Sequence, residues 1–412
     1  MGKEKIVVLG LGLSPDDLTP AHLETIRSAD LLLGGRRHLG FFEALPMEKR
    51  TISGDLEEIL TLLRGQPPER RVVVLASGDP LLFGIGGPIV RELGLDRVRI
   101  VPNISSIAAA FARIGRPWQA ATLVSLHGRD DTAPLAAAMT SRIPVAVLTD
   151  YRHSPAWLAA WLLEKGGGHL RMAVFERLGL SSETYGWYSP DQAAVSAFGD
   201  PNLVVIDGQC GQAASRLELR IGLANEAYAH ANGLITKPEV RAVVLAKLAL
   251  APGLTLWDLG AGSGAVGIEA SLLLVGGRVV AVEQHRERVA LIRGNARRLG
   301  VYNHETLQAR LPEGLEALPH PDRIFIGGGG RDLPQIVLDA ARRLEPGGMI
   351  VINTILIDNL GPVLGTLEDC GFAVEVIQMQ INRSRSMPWS RRMAAENPVW
   401  VISGSKEQKV AS

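Results

Sequence analysis

Residues 256–264 read Leu256-Trp257-Asp258-Leu259-Gly260-Ala261-Gly262-Ser263-Gly264, and this stretch says more about the fold than any other. A short apolar strand runs into a turn of small residues, and a helix is predicted to start near Val266. Glycine lets the backbone pass close to a ligand, and the first turn of a helix presents free N–H groups. The stretch therefore predicts a ligand-binding turn at the end of a strand.

A carboxylate follows this turn at the end of the next predicted strand. Glu283 comes 19 residues after Gly264, where it can accept hydrogen bonds from both hydroxyls of a ribose. Two ligands fit, S-adenosylmethionine and a nicotinamide dinucleotide, because Gly262-x-Gly264-x-x-Gly267 also matches the dinucleotide fingerprint. Three features favour S-adenosylmethionine: the acidic Asp258 suits a cationic methionine moiety, the turn at 344–348 precedes a late strand, and the last two strands are predicted to be antiparallel.

Strands and helices alternate along the chain, which predicts an α/β fold with largely parallel sheets. The predicted strands are 6–9, 71–76, 98–101, 122–125, 144–148, 172–175, 202–206, 255–259, 278–282, 323–326, 349–353, 373–380 and 399–403. The alternation of predicted strands and helices is interrupted after Asp207. The predicted divisions are a first domain at 1–207 (lobes of about 1–116 and 117–207), a linker at 208–232, a second domain at 233–405 and a tail at 406–412.

Three turns in the first half follow predicted strands. They contain Gly10 and Gly12, then Gly78 and Asp79, then Ser105 and Ser106. Because the carboxyl ends of parallel strands share one sheet edge, and ligands bind at that edge in open α/β folds, these turns favour a small-molecule cleft. None is a Walker loop, since no glycine-lysine-serine/threonine sequence follows.

Composition excludes several classes of protein. Lys plus Arg and Asp plus Glu both number 43, so the basic excess typical of nucleic-acid binders is missing. No stretch is long and apolar enough to predict a membrane span, and the apolar run near the start is too short for a signal peptide. The two cysteines, Cys210 and Cys370, form neither a disulfide framework nor a metal site, which suits a reducing cytoplasm.

These residues resemble the tetrapyrrole methyltransferases. The first half is similar to the cobalamin-pathway branch that methylates carbon 5 of the macrocycle, with matches at 34–38, 76–86, 104–106, 124–129 and 200–203. The second half is similar to the branch that methylates carbon 15, with matches at 233–241, 257–264, 325–328 and 397–399. The order of the halves is that of the fused, bifunctional members.

The resemblance implies a two-lobed tetrapyrrole-methylase fold followed by a Rossmann-like class I methyltransferase with an antiparallel final strand. It implies two sites for S-adenosylmethionine, methylation at carbons 5 and 15, and decarboxylation of the ring-C acetate. The expected partner is a small tetrapyrrole. We expect a cytoplasmic homo-oligomer that binds neither nucleic acid nor a membrane.

The resemblance also assigns roles to residues. The expected donor-binding residues are Gly10, Gly12, Gly78, Asp79, Ser105, Ser106, Thr236, Asp258, Gly260, Ala261, Gly262, Ser263, Gly264, Glu283 and Leu311. The expected substrate-binding residues are Arg331, Arg383, Arg385 and Arg391, because arginine forks match the carboxylates of the macrocycle. No metal is expected, and no catalytic residue is assigned. The chain departs from the family pattern at Asn103, where glycine is usual, and near Arg310, where an acidic residue is usual.

Three alternatives stay open on sequence. One is a nicotinamide-dependent reductase that uses the Gly262–Gly267 fingerprint. Another is a methyltransferase with a different substrate. The third is an RNA-binding module with a vestigial donor pocket, which the neutral charge disfavours.

Overall fold

The computed structural model describes residues 6–52, 55–141, 144–207, 218–231, 233 and 235–406. They form two compact units. The first contains the residues up to Gly128, Ala146–Ala159 and Arg171–Asp207, and the second contains Arg129–Val145, Ala160–Leu170 and the residues after Asp207. Among the described residues, every helix is too short or too polar to cross a bilayer.

The first half of the chain alternates strands and helices. Its elements are β1 (Ile6–Gly10), α1 (Pro20–Arg27), β2 (Leu31–Gly34), α2 (Arg36–Gly40), β3 (Glu48–Thr51), α3 (Leu56–Arg64), β4 (Val72–Ala76), α4 (Gly86–Leu93), β5 (Val98–Val101), α5 (Ser106–Arg113), β6 (Thr122–Ser125), α6 (Ala133–Ser141), β7 (Val145–Leu148), α7 (Pro155–Glu164), β8 (Arg171–Glu176), β9 (Thr184–Tyr188), α8 (Pro190–Ala194) and β10 (Asn202–Asp207).

The first sheet is entirely parallel, in the order β3-β2-β4-β1-β5. Its three central strands are buried along their whole length, as expected where helices cover both faces of a parallel sheet. Side-chain caps fix where the helices begin, since Thr19, Asp55 and Ser105 each accept a backbone N–H in the first turn of the following helix. This arrangement brings the ends of β4, β1 and β5 side by side.

The second sheet has the order β6-β7-β10-β8-β9. Here the prediction of largely parallel sheets is wrong, because β8 is antiparallel to both of its neighbours, β10 and β9. The short connection between β8 and β9 permits a hairpin, whereas a parallel pair would need a long crossover.

The second half of the chain is a second α/β series. Its elements are α9 (Pro238–Lys247), β11 (Thr255–Leu259), α10 (Ala265–Ala270), β12 (Arg278–Glu283), α11 (Arg286–Leu299), β13 (His304–Gln308), β14 (Arg323–Ile326), α12 (Leu333–Arg343), β15 (Met349–Thr354), α13 (Leu360–Asp369), β16 (Phe372–Met379), β17 (Asn382–Met387), β18 (Ser390–Ala395) and β19 (Val399–Lys406).

The sheet of the second unit has seven strands in the order β13-β12-β11-β14-β15-β19-β16. The first five are mutually parallel, while β19 runs antiparallel between β15 and β16. The predicted antiparallel final strand is therefore confirmed. One face packs on α12 and α13, and the other packs on α9 and α10.

The segment between β16 and β19, which contains Arg383, Arg385 and Arg391, forms a two-stranded hairpin, β17–β18. Part of the predicted linker at 208–232, and most of the tail, lie outside the described residues. Within the described part of that linker, Leu223, Ala227 and Tyr228 are buried in a core cluster with residues of α10 and α11.

Candidate active sites

The second unit contains a cavity of about 730 Å³ at the carboxyl ends of its parallel strands. This volume is typical of a small-molecule pocket. The cavity is bounded by the turns that follow β11, β12, β13, β14 and β15, and by the chain that leads into α9. The sheet topology thus gathers onto one edge several loops that are far apart in sequence.

The glycine loop after β11 forms one wall of this cavity. Gly260 has a φ of +72°, and a Cβ added there would lie 3.1 Å from the backbone of Gly328 in the loop after β14. Gly264 has a φ of +76°, and its Cβ would lie 2.8 Å from the side chain of Ile292. Both positions favour glycine, because a positive φ is strained for other residues. At Gly260 a Cβ would also crowd the backbone of Gly328.

Glu283 ends β12 and lines the cavity beside the glycine loop. Its side chain is 3% exposed. The Gly262 N–H donates to Oε2 at 3.0 Å, and the His285 N–H donates to Oε1 at 3.0 Å. Nη1 of Arg288 lies 3.8 Å from the same Oε1. A carboxylate offers about four acceptor positions, so two backbone bonds hold this group in place and leave capacity for two ligand hydroxyls.

Asp258 lies beneath the glycine loop and is not among the residues that line the cavity. It is fully buried, and the Gly267 N–H donates to its Oδ2 at 3.0 Å. Its Oδ1 has no hydrogen-bond partner among the described residues. Burial raises the pKa of this carboxyl to about 7, and the negative charge of Glu283 adds to the effect. In this conformation Asp258 supports the start of α10.

Most of the donor-binding residues expected in the second half lie together around the cavity. Those that line it are Thr236, Gly260, Ala261, Gly262, Ser263, Glu283 and Leu311. The two that do not are Asp258, which is buried, and Gly264, which packs on Ile292.

The four expected substrate arginines separate into three situations. Arg331 lines the cavity, after the glycines of the β14 turn. Arg383 is held by two carboxylates, since its Nη1 and Nη2 donate to Glu239 at 2.9 and 2.8 Å and its Nε donates to Glu396 at 2.8 Å. Arg385 and Arg391 are exposed on the β17–β18 hairpin and do not line the cavity. Arg383 therefore anchors the hairpin to α9.

Sequence reasoning missed several cavity residues. Asn353 lines the cavity near the end of β15, and both polar atoms of its amide are buried without a hydrogen-bond partner among the described residues. Lys237 and Arg288, which were not assigned to a site, add positive charge to the lining, as does Arg310. The signal for Asn353 was a lone polar residue closing an apolar strand. The cations sit in turns and helices that showed no pattern.

The three turns predicted to form a cleft in the first unit meet at the ends of β4, β1 and β5. The Gly78 N–H donates to the Gly12 carbonyl at 3.0 Å, and a Cβ added at Gly10 would lie 2.5 Å from the Gly78 carbonyl oxygen. A Cβ at Gly78 would lie 3.6 Å from the Cα of Ser105. The turns after the three strands therefore pack directly on one another.

The polar side chains of these turns bond mainly to local backbone. Asp79 Oδ1 accepts from the Leu81 N–H at 2.8 Å, and Ser105 Oγ accepts from the Ala108 N–H at 3.1 Å. Asn103 cross-links two turns, because its amide donates to the Gly10 carbonyl at 3.1 Å and its Oδ1 accepts from the Ile104 N–H at 2.8 Å. The asparagine that departs from the family pattern thus stabilises this edge. Ser106 begins α5 next to it.

Comparison with known proteins gives a match for each half. A model of tetrapyrrole (corrin/porphyrin) methylases matches residues 5–186, and a model of the precorrin methyltransferase domain matches residues 226–406. The precorrin-6Y C(5,15)-methyltransferase [decarboxylating] of a Sinorhizobium species is 35% identical over 347 residues, which cover 81% of this chain and 80% of that protein. This chain belongs to the precorrin-6Y C(5,15)-methyltransferase family.

Each half of this family member also matches a shorter relative. The cobalt-precorrin-7 C(5)-methyltransferase of Salmonella typhimurium is 37% identical over 202 residues, covering 49% of this chain and 98% of that enzyme. The probable cobalt-precorrin-6B C(15)-methyltransferase (decarboxylating) of Pyrobaculum calidifontis is 38% identical over 184 residues, covering 44% and 94%. The protein is an S-adenosylmethionine-dependent methyltransferase, and the nicotinamide and RNA-binding alternatives lose their support.

Proposed function

We propose that the chain methylates precorrin-6Y twice, at carbon 5 with its first half and at carbon 15 with its second half, and removes the ring-C acetate carboxylate to give precorrin-8. The observation that carries this proposal is the family relationship over about four-fifths of both proteins, together with separate single-function relatives for the two halves. Each half also has its own glycine turns at the carboxyl edge of a parallel sheet.

The cavity of the second unit fits S-adenosylmethionine. Glu283 can accept hydrogen bonds from the two ribose hydroxyls. Gly260 and Gly262 keep the cavity wall beside it free of side chains, and a Cβ at Gly260 would crowd Gly328 in the same lining. Leu311 and Ile336 give the cavity apolar wall suited to an adenine ring. When bound, S-adenosylmethionine supplies an electrophilic methyl group on a sulfonium ion.

A second donor site in the first unit is proposed from its three turns. Gly10, Gly12 and Gly78 form a backbone surface without side chains, and Asp79 adds a carboxylate that keeps free acceptor capacity after bonding to Leu81. Ser105 and Ser106 bring the start of α5 to the same edge. These groups match the residues that the resemblance assigned to the donor.

The main contribution of the chain to methyl transfer is alignment. Reduced tetrapyrroles have electron-rich meso carbons, so the acceptor needs no strong base, and holding donor and acceptor in line is worth roughly 7–11 kcal/mol. In the second unit, the Glu283 carboxylate sets the ribose end. Arg331, which is exposed and lines the cavity, can pair with an acceptor carboxylate.

Decarboxylation is proposed for the second half. The bond between the acetate methylene and its carboxylate breaks, the electron pair enters the conjugated macrocycle, and a proton is taken up there. The macrocycle itself accepts the electrons, so the chain has to hold the acetate and exclude water. Ile355 and Val399 supply apolar wall on the side of the cavity near β15 and β19.

Incubation of the purified protein with precorrin-6Y and methyl-labelled S-adenosylmethionine tests the proposal. We expect a product with two labelled methyl groups and the release of one carbon dioxide. Gain of a single methyl group, or no release of carbon dioxide, would contradict the bifunctional assignment. The expected cytoplasmic location and self-association stay predictions.

A further inference from the structure

The chain leading into α9 forms an arm, defined here as residues 222–231, that is held mainly by side chains. Among its described residues, the arm's regular structure is a single 3₁₀ turn at Asn225–Ala227. The chain continues through Gly233, Ile235 and Thr236, which line the cavity of the second unit. The position of this cavity wall therefore depends on what fixes the arm.

A fully buried ion pair lies beneath the arm. Arg241 on α9 and Glu269 on α10 are both 0% exposed, and Arg241 Nε donates to Glu269 Oε1 at 2.8 Å. The other guanidinium nitrogens point to the arm and to its continuation. Nη1 donates to Asn225 Oδ1 at 2.8 Å and to the Thr236 carbonyl, and Nη2 donates to the Leu223 carbonyl.

Glu269 binds the arm from the other side of the pair. Its Oε2 accepts from the Gly222 N–H at 2.9 Å, and its Oε1 accepts from the Leu223 N–H at 3.2 Å. The Tyr228 hydroxyl donates to the same Oε1 at 3.1 Å. Burial and the nearby negative charge raise the pKa of Tyr228, so its hydroxyl stays a donor. The two charges are compensated by each other and by the arm.

Asn295 on α11 connects the arm to the glycine loop. Its Oδ1 accepts from the Ala229 N–H at 2.8 Å, while its Nδ2 donates at 2.9 Å to the carbonyls of Ala229 and Ser263. The arm, which leads to the cavity wall at Gly233, Ile235 and Thr236, is thus tied to the glycine loop through the buried Asn295.

We propose that Arg241 and Glu269 are positioning residues for the methyl donor of the second unit: together they fix the arm, and Arg241 also binds the Thr236 carbonyl in the cavity wall directly. A buried ion pair is seldom more stabilising than apolar side chains of equal volume, so stability alone does not explain it. The directional hydrogen bonds from the pair to the arm backbone do explain it, because they fix the arm in one position. The inference rests on the proposed function of this cavity.

The test compares variants of the full-length protein. Carbon dioxide release reports on the second half, and methylation at carbon 5 reports on the first. Arg241→Lys keeps the charge but loses the fork that reaches Asn225, Thr236 and Leu223. We expect its KM for S-adenosylmethionine in carbon dioxide release to rise at least about tenfold, with a smaller change in kcat and with carbon 5 methylation unchanged.

A milder variant and a control complete the design. Asn225→Ala removes one bond from a half-buried arm side chain and should raise the same KM about threefold without unfolding the protein. Lys247→Met breaks the exposed Lys247–Glu375 ion pair on the same helix and should leave the KM unchanged.

The proposal is overturned if both Arg241→Lys and Asn225→Ala keep a donor KM within twofold of wild type while their melting temperature falls. The ion pair would then be only structural. If Arg241→Lys does not fold, an unchanged donor KM in Asn225→Ala overturns it. Absence of donor-dependent carbon dioxide release in the wild type would instead contradict the proposed function.

Discussion

At the residue scale, Glu283 is the side chain whose assignment is easiest to test. Its two backbone bonds hold the carboxylate at the cavity, so a ribose would meet a preorganised acceptor. Glu283→Gln should weaken donor binding to the second unit by about 2–4 kcal/mol, or roughly a hundredfold, because two charge-assisted hydrogen bonds are weakened. Calorimetric titration of the full-length protein with S-adenosylhomocysteine would show one of two binding steps shifted.

Glu287 provides the control for this titration. Glu287 lies four residues after Glu283 and is exposed in the first turn of α11. Its replacement by glutamine removes the same charge as Glu283→Gln does. We expect Glu287→Gln to bind like the wild type. If Glu283→Gln also does, then Glu283 does not bind the donor.

Asp258 predicts a pH dependence of stability. Its carboxyl has a pKa of about 7 in the folded protein against a reference value of 3.8. The folded state therefore holds a proton that the unfolded state releases, so the contribution of Asp258 is full below about pH 4 and is lost as the pH rises to about 7. At about 1.4 kcal/mol per pKa unit, the loss is at most about 4 kcal/mol.

Urea unfolding of the wild type and of Asp258→Asn at several pH values measures this effect. The variant keeps an acceptor for the Gly267 N–H but cannot ionise. Its stability relative to the wild type should rise from pH 4 to pH 7 and then level off. A difference that does not change with pH would show that Asp258 is not a buried carboxyl of raised pKa.

At the scale of elements, most apolar strands could be predicted and polar ones could not. The exception is β2, a buried run of three leucines and a glycine that is only four residues long and was missed. The strands β1 and β4 are apolar runs that end in Gly10 and Ala76, and β11 is a mainly apolar run followed directly by Gly260. The sequence identifies all three within a residue or so. The strands β3, β13, β17 and β18 are edge or hairpin strands with mostly exposed side chains. Without a buried face they have no alternating pattern, so they were missed.

The candidate sites show the same limit. Turns that follow buried strands were found, because glycine and carboxylate patterns mark them, and the sheet order then brings them together. The partners of individual side chains were not found. Arg383 was predicted to bind substrate, but Glu239 and Glu396 neutralise its charge. These two carboxylates come from a helix distant in sequence and from the chain after the hairpin. Tertiary pairing of this kind leaves no local signal.

The β17–β18 hairpin carries a prediction about substrate. Arg385 and Arg391 are exposed and make no ion pair with described residues, while Trp389 is 83% exposed at the turn. The double variant Arg385→Gln/Arg391→Gln should raise the KM for precorrin-6Y by up to about thirtyfold, since exposed ion pairs contribute at most about 1 kcal/mol each. Donor affinity should stay unchanged.

Steady-state kinetics with precorrin-6Y as the varied substrate checks this, with Arg286→Gln on the exposed start of α11 as the control. An unchanged KM in the double variant would show that the hairpin arginines do not contact the macrocycle. A change in donor affinity would assign them to the donor instead.

At the scale of the whole molecule, the two methyl transfers should be separable, so that a substitution in one unit removes one of them. Gly10→Ala places a Cβ 2.5 Å from the Gly78 carbonyl oxygen in the first unit. In the second unit, Gly260→Ala puts an alanine at a position of positive φ and places its Cβ 3.1 Å from the Gly328 backbone. Each substitution displaces one glycine turn and leaves the other unit untouched, so each should abolish one transfer.

Mass spectrometry of the tetrapyrrole formed from precorrin-6Y and methyl-labelled donor by the full-length protein and these two variants is the most direct measurement. We expect two labelled methyl groups and loss of carbon dioxide for the wild type, carbon 15 methylation with carbon dioxide loss for Gly10→Ala, and carbon 5 methylation alone for Gly260→Ala. Loss of both methyl transfers in either folded variant, or retention of both, would contradict the assignment of one transfer to each unit.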